Sequence, residues 1–287
     1  MNIAFIGLGN MGAPMAANLV AAGHSVKGFD VAGVSVEGVQ SVDSIAAAAV
    51  GAELVISMLP NGAILRSVYA ELVPAAEVGA CLLDCSTVDV QSARDVQQLA
   101  ANAGLLSLDA PVSGGIGGAA GGTLTFMAGG SDAAFTFAKP LFDVMGQKAV
   151  HCGEAGAGQS AKICNNMLLA VSMIGSCEAI NLADKLGLDR QKLFDVVSTS
   201  SGYCWSMNAY CPAPGVGPQS PADNDYQPGF AAVLMLKDLG LSQQAAEQVS
   251  ADTPLGAHAT ELYQKMVDEG QGDKDFSAML LRLAQQA

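Results

Sequence analysis

A glycine-rich turn near the start of the chain constrains its fold more than any other feature. An apolar run at residues 3–6 leads into Gly7-Leu8-Gly9-Asn10-Met11-Gly12, and a helix-forming stretch at residues 14–22 follows. A second predicted strand, residues 25–29, ends on Asp30. A Gly-x-Gly-x-x-Gly turn between a strand and a helix, with an acidic residue after the next strand, is typical of a dinucleotide-binding βαβ unit.

The residues of this turn also indicate which dinucleotide would bind. Gly7 would form the tight turn, Gly9 would let the backbone approach the pyrophosphate, and Gly12 would let the helix pack against the sheet. The pyrophosphate would lie at the helix N-terminus, where N–H groups and the helix dipole favour anions. The Asp30 carboxylate would accept hydrogen bonds from the ribose hydroxyls and repel a 2′-phosphate, and Val31-Ala32-Gly33 offers no cation. The sequence therefore predicts NAD rather than NADP.

The first half continues as alternating strands and helices. Apolar runs at residues 53–59, 80–84, 105–109, 123–128 and 149–152 are predicted strands, with helical patterns between most of them. This alternation predicts a mostly parallel, doubly wound sheet of the Rossmann type. Ligands of such sheets bind beyond the carboxyl ends of the strands, so Leu59, Pro60 and Thr87 are predicted to border the cofactor. The alternative is that these positions are ordinary strand-end turns.

The second half has a different pattern. After Gly158 the strand signal disappears, and helices are predicted at residues 160–186, 190–200, 230–250, 254–269 and 275–284. A loop rich in Pro and Gly occupies residues 211–229, and long loops of this kind are often functional. We predict an α/β protein with a Rossmann-type domain at 1–155 and an all-helical substrate and oligomerisation domain at 156–287, joined by a long helix.

Composition narrows the classes of partner and compartment. The net charge is −14, from 27 acidic and 13 basic residues, which argues against binding nucleic acid or anionic lipid. Met1 is followed directly by a predicted strand, so we expect no leader, and the longest uncharged run of the long helix is too short and polar to span a membrane. Seven cysteines without metal-ligand spacing predict free thiols in a reducing cytoplasm and no bound metal.

Two polar residues on the long helix are candidates for catalysis. Lys162 and Asn166 stand one turn apart in an otherwise apolar run, so they share a helix face. Burying an ammonium and an amide together is unfavourable unless they meet a polar ligand or fixed partners. The alternative is that Lys162 extends its amine to solvent while Asn166 caps a neighbouring loop.

Other candidate residues are ambiguous by themselves. Ser113 followed by Gly114 and Gly115 could expose consecutive N–H groups suited to a carboxylate, or could belong to a flexible glycine loop. Lys237-Asp238 is consistent with a solvated charge pair on an amphipathic helix. The single tryptophan, Trp205, is of a residue type more often found in a core than in a pocket.

These motifs together resemble the β-hydroxyacid dehydrogenase family over nearly the whole chain. The resemblance is carried by the glycine turn with Pro14-Met15-Ala16, by Asp109-Ala110-Pro111-Val112-Ser113-Gly114-Gly115, by Gly156-Ala157-Gly158 with Lys162 and Asn165-Asn166, and by Lys237-Asp238-Leu239. The Ser-Ser-Gly-x-Cys-Trp-Ser segment ending at Ser206, followed by residues 210–215, is similar to the branch of the family that acts on 3-hydroxyisobutyrate.

The resemblance implies a role for each matching position. Lys162 would be the catalytic acid/base, since a desolvated amine can both accept and return a proton. Asn166 and Ser113-Gly114-Gly115 would hold the substrate, with Trp205 and Phe230 beside its C2 carbon. Leu59, Pro60, Thr87 and Lys237 would contact NAD. The implied reaction is oxidation of 3-hydroxyisobutyrate to methylmalonate semialdehyde in valine degradation, by a cytoplasmic homodimer or homotetramer.

Two alternatives remain open from the sequence. One is a sister enzyme of the same family that reduces tartronate semialdehyde, succinate semialdehyde or glyoxylate; the apolar Tyr203-Cys204-Trp205 segment does not favour it. The other is a nucleotide sensor without turnover, which would not require Lys162 together with Asn166.

Overall fold

The computed structural model describes residues 1–285 and divides the chain into two compact units, Met1–Lys162 and Ile163–Ala287. The predicted boundary between residues 155 and 156 lies shortly before this division. The last two residues of the predicted second domain, 286 and 287, lie outside the described part of the chain.

The first unit contains nine strands and six helices before the long helix begins. The strands are β1 (Asn2–Ile6), β2 (Ser25–Phe29), β3 (Gln40–Ser41), β4 (Leu54–Ser57), β5 (Cys81–Asp84), β6 (Leu106–Asp109), β7 (Val112–Ser113), β8 (Leu124–Gly130) and β9 (Gly146–Gly153). The helices are α1 (Gly12–Ala21), α2 (Ile45–Ala49), α3 (Gly62–Ala75), α4 (Val90–Asn102), α5 (Gly115–Gly121) and α6 (Asp132–Met145).

All nine strands form one sheet. Strands β3-β2-β1-β4-β5-β6 are parallel in that order; β8 then pairs antiparallel with β6 and β7, and parallel with β9. This is the doubly wound arrangement predicted from the alternating pattern. The two-residue strands β3 and β7 were not predicted, because pieces this short carry no periodic signal.

Helices cover both faces of this sheet. Because side chains alternate along a strand, Phe5 of β1 joins a core with Met15 of α1 and Phe142 of α6. Ile6 faces the other way and packs with Leu65 and Tyr69 of α3. Burial on both faces explains why β4 and β5 are buried at every position and why their sequences are almost continuously apolar.

The second unit is helical around its own core. The 29-residue helix α7 (Ala157–Lys185) begins in the first unit, and it is followed by α8 (Arg190–Val197), α9 (Trp205–Asn208), α10 (Ala232–Gln248), α11 (Pro254–Met266) and α12 (Met279–Gln285). Met173 and Cys177 of α7 pack with Met235 of α10 and Tyr263 of α11. The predicted all-helical second half and long connecting helix are both confirmed.

Several predicted helix ends were wrong. The helix predicted to reach residue 269 ends at Met266, where a π-type turn, Val267–Gln271, contains Gly270 in a left-handed conformation. The last predicted helix begins with a 3-10 turn, Phe276–Ala278, capped by Asp275. The loop at 211–229 contains one short 3-10 turn, Pro221–Asn224, and helix α9 precedes the loop.

Helix α7 is the one helix in the described part of the chain that is long and apolar enough to cross a membrane. However, 44% of its most apolar window is buried inside the protein, so this helix is weak support for a membrane span.

All seven cysteines are free thiols. Cys164 on α7 is exposed, whereas Cys81, Cys85, Cys177 and Cys211 are buried.

Candidate active site

The glycine turn lies between β1 and α1 and leaves its backbone accessible. Gly7 has φ +92°, which a residue with a side chain would adopt only under strain. A Cβ at Gly12 would lie 1.9 Å from the Gly7 carbonyl oxygen and 3.0 Å from Phe5 Cε1 of β1, so glycine at this position lets α1 pack close to the turn and the sheet. At Gly9 a Cβ would meet no atom within 4 Å. The open backbone at the start of α1 fits the pyrophosphate of a dinucleotide.

Asp30 follows β2 and contacts the same turn. Its Oδ2 accepts a hydrogen bond from the Leu8 N–H at 2.7 Å, and its Oδ1 accepts one from the Ala32 N–H at 2.8 Å. Each carboxylate oxygen can accept more than one bond, so a ribose can still be bound. Val31 is 94% exposed. Asp30 therefore holds the glycine turn in place through the Leu8 N–H. The sequence pattern predicted only a contact between Asp30 and the ribose and did not show this second role.

A buried carboxylate connects the strand ends that carry Leu59 and Thr87. Oδ1 of Asp84 accepts bonds from the Ser57 hydroxyl at 2.7 Å and the Ser86 hydroxyl at 2.6 Å. Ser86 Oγ in turn accepts the Leu59 N–H at 2.7 Å. Burial raises the pKa of Asp84 to about 7, although its bonds with Ser86 and Ser57 act in the opposite direction. Pro60 follows Leu59 directly, and Thr87 follows Ser86 at the neighbouring strand end.

A second buried carboxylate, Asp109 at the end of β6, holds the start of α7. Its Oδ1 accepts the Gly156 N–H at 2.8 Å and the Gln97 amide at 2.6 Å, and its Oδ2 accepts the Gln159 N–H at 2.7 Å. Burial raises the pKa of Asp109 to about 6 against the lowering effect of these bonds. An anion at a helix N-terminus is stabilised by the helix dipole and unpaired N–H groups.

The amine of Lys162 is buried and directed at the backbone of β7. Lys162 is 6% exposed, and its Nζ donates a hydrogen bond to the Val112 carbonyl oxygen at 2.8 Å. It does not extend to solvent, so the alternative reading from the sequence is wrong. Val112 directly precedes Ser113, so the proposed acid/base lies beside the strand that leads into the proposed carboxylate cradle.

The Ser113-Gly114-Gly115 segment is structured rather than a flexible loop. Val112 and Ser113 pair with Phe126 and Thr125 of β8. Gly114 then turns the chain with φ +135°, and α5 begins at Gly115. The predicted series of small residues therefore lies at a fixed junction between a strand and a short helix.

Within the second unit, Asn166 has a buried acidic partner. Its Nδ2 donates to Asp238 Oδ2 at 2.5 Å, and its Oδ1 accepts from Asn165 at 2.9 Å. Asp238 is 4% exposed, which contradicts the interpretation of Lys237-Asp238 as a solvated pair; Lys237 itself is half-buried. The pattern missed Asp238 because its partner lies 72 residues away along the chain.

Trp205 and Phe230 belong to one aromatic cluster. Trp205 stacks on Tyr210, with ring centroids 4.8 Å apart; Tyr210 stacks on Phe276, and Phe230 meets Phe276 edge-on at 6.0 Å. Fully buried Asp275 supports this cluster, since its Oδ2 accepts from the Tyr210 hydroxyl at 2.9 Å and the Phe230 N–H at 3.0 Å. Trp205 is half-exposed, so it is not a core residue.

Comparison with known proteins gives matches over almost the whole chain. Residues 2–153 match a family described as the NAD binding domain of 6-phosphogluconate dehydrogenase. Residues 156–283 match a family described as NAD-binding of NADP-dependent 3-hydroxyisobutyrate dehydrogenase.

Individual relatives agree with these family matches. The chain is 48% identical to the 3-hydroxyisobutyrate dehydrogenase of Pseudomonas aeruginosa, covering 97% of each chain. It is 46% identical to the NAD-dependent L-serine dehydrogenase of the same organism, covering 96% of each. A solved structure of the Mycobacterium tuberculosis 3-hydroxyisobutyrate dehydrogenase, described as the enzyme with L-serine, is 49% identical over 98% of each chain with a TM-score of 0.94.

Proposed function

The chain belongs to the β-hydroxyacid dehydrogenase family and is an NAD-dependent hydroxyacid dehydrogenase, and from this premise we propose that its substrate is 3-hydroxyisobutyrate. The product would be methylmalonate semialdehyde, an intermediate of valine degradation. In the proposed division of labour, residues 1–155 bind NAD and residues 156–287 shape the substrate site and the contact between subunits of a cytoplasmic homodimer or homotetramer.

The observation that carries the proposal is the buried Lys162 amine beside β7. When bound, NAD supplies the hydride acceptor for the hydrogen on the substrate carbinol carbon. The hydroxyl proton must leave at the same time, and neutral Lys162 Nζ would accept it. Its hydrogen bond to the Val112 carbonyl fixes the amine at 2.8 Å from the strand that ends in the carboxylate cradle.

The remaining groups have proposed binding roles. Ser113, Gly114 and Gly115 would hold the substrate carboxylate through a hydroxyl and N–H groups, and Asn166, fixed by Asp238, would orient the substrate. Leu59, Pro60, Thr87 and Lys237 would contact NAD along with the glycine turn and Asp30. Trp205 and Phe230, joined through Tyr210 and Phe276, would supply an apolar surface suited to a methyl group at C2.

The relatives favour one second candidate substrate, L-serine. One 46%-identical relative is named an L-serine dehydrogenase, and the similar solved structure is described with L-serine. L-Serine has the same carboxylate and 3-hydroxyl as 3-hydroxyisobutyrate, with an ammonium group replacing the C2 methyl. The residues around C2 therefore decide between them, because every other proposed contact is shared.

The test is a substrate panel run with NAD on the wild type and two variants. A methyl group in an apolar pocket contributes about 1–3 kcal/mol, so kcat/KM for 3-hydroxyisobutyrate should exceed that for 3-hydroxypropionate by ~10–200-fold, with L-serine and glycerate lower still. Trp205→Ala should lower this ratio of 3-hydroxyisobutyrate to 3-hydroxypropionate by a larger factor than it lowers kcat/KM for 3-hydroxypropionate itself. Lys162→Ala should lower turnover by ~10²–10⁴-fold or more while NAD still binds.

The outcomes separate the candidates. A preference for L-serine would assign the second substrate, and a preference for glycerate would place the chain with the enzymes of tartronate semialdehyde. Near-normal turnover of Lys162→Ala across the pH range would remove Lys162 from the proposed chemistry. Absence of turnover with every 3-hydroxy acid would instead favour a nucleotide sensor.

A further inference from the structure

Two hydrogen bonds and two short stretches of chain form a closed path through Asp109 in the first unit. In one direction the chain runs from Asp109, the last residue of β6, to Val112 three residues later, the first residue of β7. In the other, the Asp109 carboxylate binds the Gln159 N–H, three residues before Lys162 on α7. The path closes where Lys162 Nζ donates to the Val112 carbonyl. Asp109 is therefore the point that joins the two arms carrying the amine and its backbone partner.

The joint is tightly packed, so little alternative geometry is available. A Cβ at Gly158 would lie 2.2 Å from the Met127 carbonyl oxygen and 2.6 Å from that of Asp109. A Cβ at Gly129 would lie 2.6 Å from Asp109 Oδ1 and 2.6 Å from the Gly158 nitrogen. The start of α7 thus lies directly against the ends of β6 and β8, with the carboxylate between them.

Gln159 extends the same joint to the cofactor side of the sheet. Its side chain is fully buried; Nε2 donates to the Ser86 carbonyl at 2.8 Å, and Oε1 accepts the Val88 N–H at 3.1 Å. These two bonds are made by the residues on either side of Thr87, a proposed NAD contact. A shift of the first turn of α7 would therefore move the amine and the Thr87 loop relative to the Ser113 cradle.

We propose that Asp109 is a positioning residue for the dehydrogenase reaction, which holds the first turn of α7 so that Lys162 is aligned with the Ser113–Gly115 cradle and the Thr87 loop. This inference rests on the proposed role of Lys162 and assigns no contact between Asp109 and substrate or NAD. Misplacement of a reacting group by about 1 Å can lower a rate by ~10²-fold, so the effect belongs in kcat rather than in NAD affinity.

The variant Asp109→Asn tests the joint with almost no change in volume. The two carboxylate oxygens accept the N–H groups of Gly156, which directly precedes α7, and of Gln159 in its first turn, whereas an asparagine side chain has one acceptor oxygen and one donor nitrogen. In either amide orientation one of the Gly156 and Gln159 N–H groups faces another donor. We expect kcat to fall by ~10–100-fold, NAD affinity to stay within about 3-fold, and hydrogen exchange in residues 156–162 to accelerate.

Gln97→Met is the matched control. The Gln97 amide is the third partner of Asp109 and also reaches the Gly129 carbonyl, so these two hydrogen bonds are made to the sheet rather than to α7. This variant removes a hydrogen bond from the same buried carboxylate and leaves both bonds to the helix. We expect kcat within about 3-fold of the wild type, even where Gln97→Met lowers the melting temperature as much as Asp109→Asn.

A double-mutant cycle with Lys162→Ala distinguishes positioning from general loss of structure. If Asp109 acts through Lys162, then Asp109→Asn should change the residual turnover of Lys162→Ala by less than about 2-fold. An equal fold loss in both backgrounds, or an unchanged kcat despite faster exchange in residues 156–162, would overturn the inference. If Asp109→Asn does not fold, Asp109→Ser, which places no donor amide against the helix, takes its place in the same cycle.

The cycle also separates this inference from the proposed function. Turnover that survives Lys162→Ala would refute the role of Lys162, and the positioning role would fall with it. Turnover that depends on Lys162 but not on Asp109 would refute the positioning role alone. Hydrogen exchange reports on the joint in both cases, because it does not require turnover.

Discussion

At the scale of single residues, three carboxylates each bind a pair of backbone N–H groups. Asp30 accepts from Leu8 and Ala32, Asp109 accepts from Gly156 and Gln159, and Asp275 accepts from Gly229 and Phe230. Backbone amides therefore stabilise these three carboxylates. Hydrogen bonds to a charged acceptor are stronger than those to a neutral one, which suits residues that fix a turn or a helix start.

The double variant Asp30→Ser, Val31→Arg should change the cofactor preference. It removes a carboxylate that repels a 2′-phosphate and adds a guanidinium that can bind one, at a position that is already exposed. Hydrogen bonds to charged groups contribute about 1.5–3 kcal/mol, so the NADP to NAD ratio of kcat/KM should rise by at least ~10-fold. Absolute activity should also fall, because the Leu8 N–H loses its acceptor.

Asp30→Ser alone is the control for cofactor preference. It should weaken NAD binding without reaching the NADP activity of the double variant, since it supplies no cation. A wild-type enzyme that already prefers NADP in steady-state assays would contradict the role assigned to Asp30.

At the scale of elements, helix α7 has two glycines in opposite surroundings. Gly158 lies in its first turn, where a Cβ would be 2.2 Å from backbone oxygen, whereas Gly175 lies in an exposed part of the helix with nothing within 4 Å. Glycine in a helix interior is less favourable than alanine by roughly 0.5–1 kcal/mol. The same substitution should therefore have opposite signs at the two positions.

Gly175→Ala should raise the free energy of unfolding by about 0.5–1 kcal/mol and leave kcat unchanged. Gly158→Ala should lower it by about 1–3 kcal/mol or more and should reduce kcat, since the backbone of β8 cannot give way as a flexible side chain could. Urea unfolding followed by circular dichroism measures both. Equal stability of the two variants would show that α7 does not pack against the sheet as described.

The elements themselves were largely predictable because their signals are local. Strand runs, the glycine turn and the helical periodicity of the second half lie within short windows of sequence. The supporting polar contacts are not local: Asp109 bonds to Gln159 across 50 residues and Asn166 to Asp238 across 72. Asp84 and Asp109 were recognisable only as residues at strand ends, and Gln159 only as a position after the Gly156-Ala157-Gly158 motif.

At the scale of the whole molecule, the two buried strand-end carboxylates make stability depend on pH. Asp84 and Asp109 are register partners on β5 and β6. Burial raises the pKa of Asp84 to about 7 and that of Asp109 to about 6. An acid whose folded pKa lies above its ordinary value near ~4 favours folding in its protonated form. Stability should therefore decline as the pH rises from about 4 to about 7.

Asp84→Asn removes one of these titrations and imitates the protonated group. Its amide oxygen can take the place of Oδ1, and its amide nitrogen the place of the buried Oδ2, which accepts no hydrogen bond from the described residues. Each pKa unit corresponds to about 1.4 kcal/mol. The free energy of unfolding of the variant minus that of the wild type should therefore rise by about 2–4 kcal/mol as the pH rises from about 4 to about 8. Urea titrations at several pH values measure this difference. Exposed Asp252→Asn is the control, and a parallel profile for both variants would contradict the assignment.

The distribution of the seven thiols gives this protein a natural site for chemical labelling. The thiolate is the reactive form of cysteine, and burial raises the pKa of Cys81 to about 12 and that of Cys85 well above its ordinary value. Among the cysteines, all of which lie in the described part of the chain, only Cys164 is exposed, and it lies on α7 between Lys162 and Asn166. A maleimide dye should therefore attach there first in the unmodified protein. Because Cys164 is two residues from both Lys162 and Asn166, the dye would lie on a different face of α7 from theirs. Labelling should therefore leave turnover unchanged, which assays before and after labelling measure.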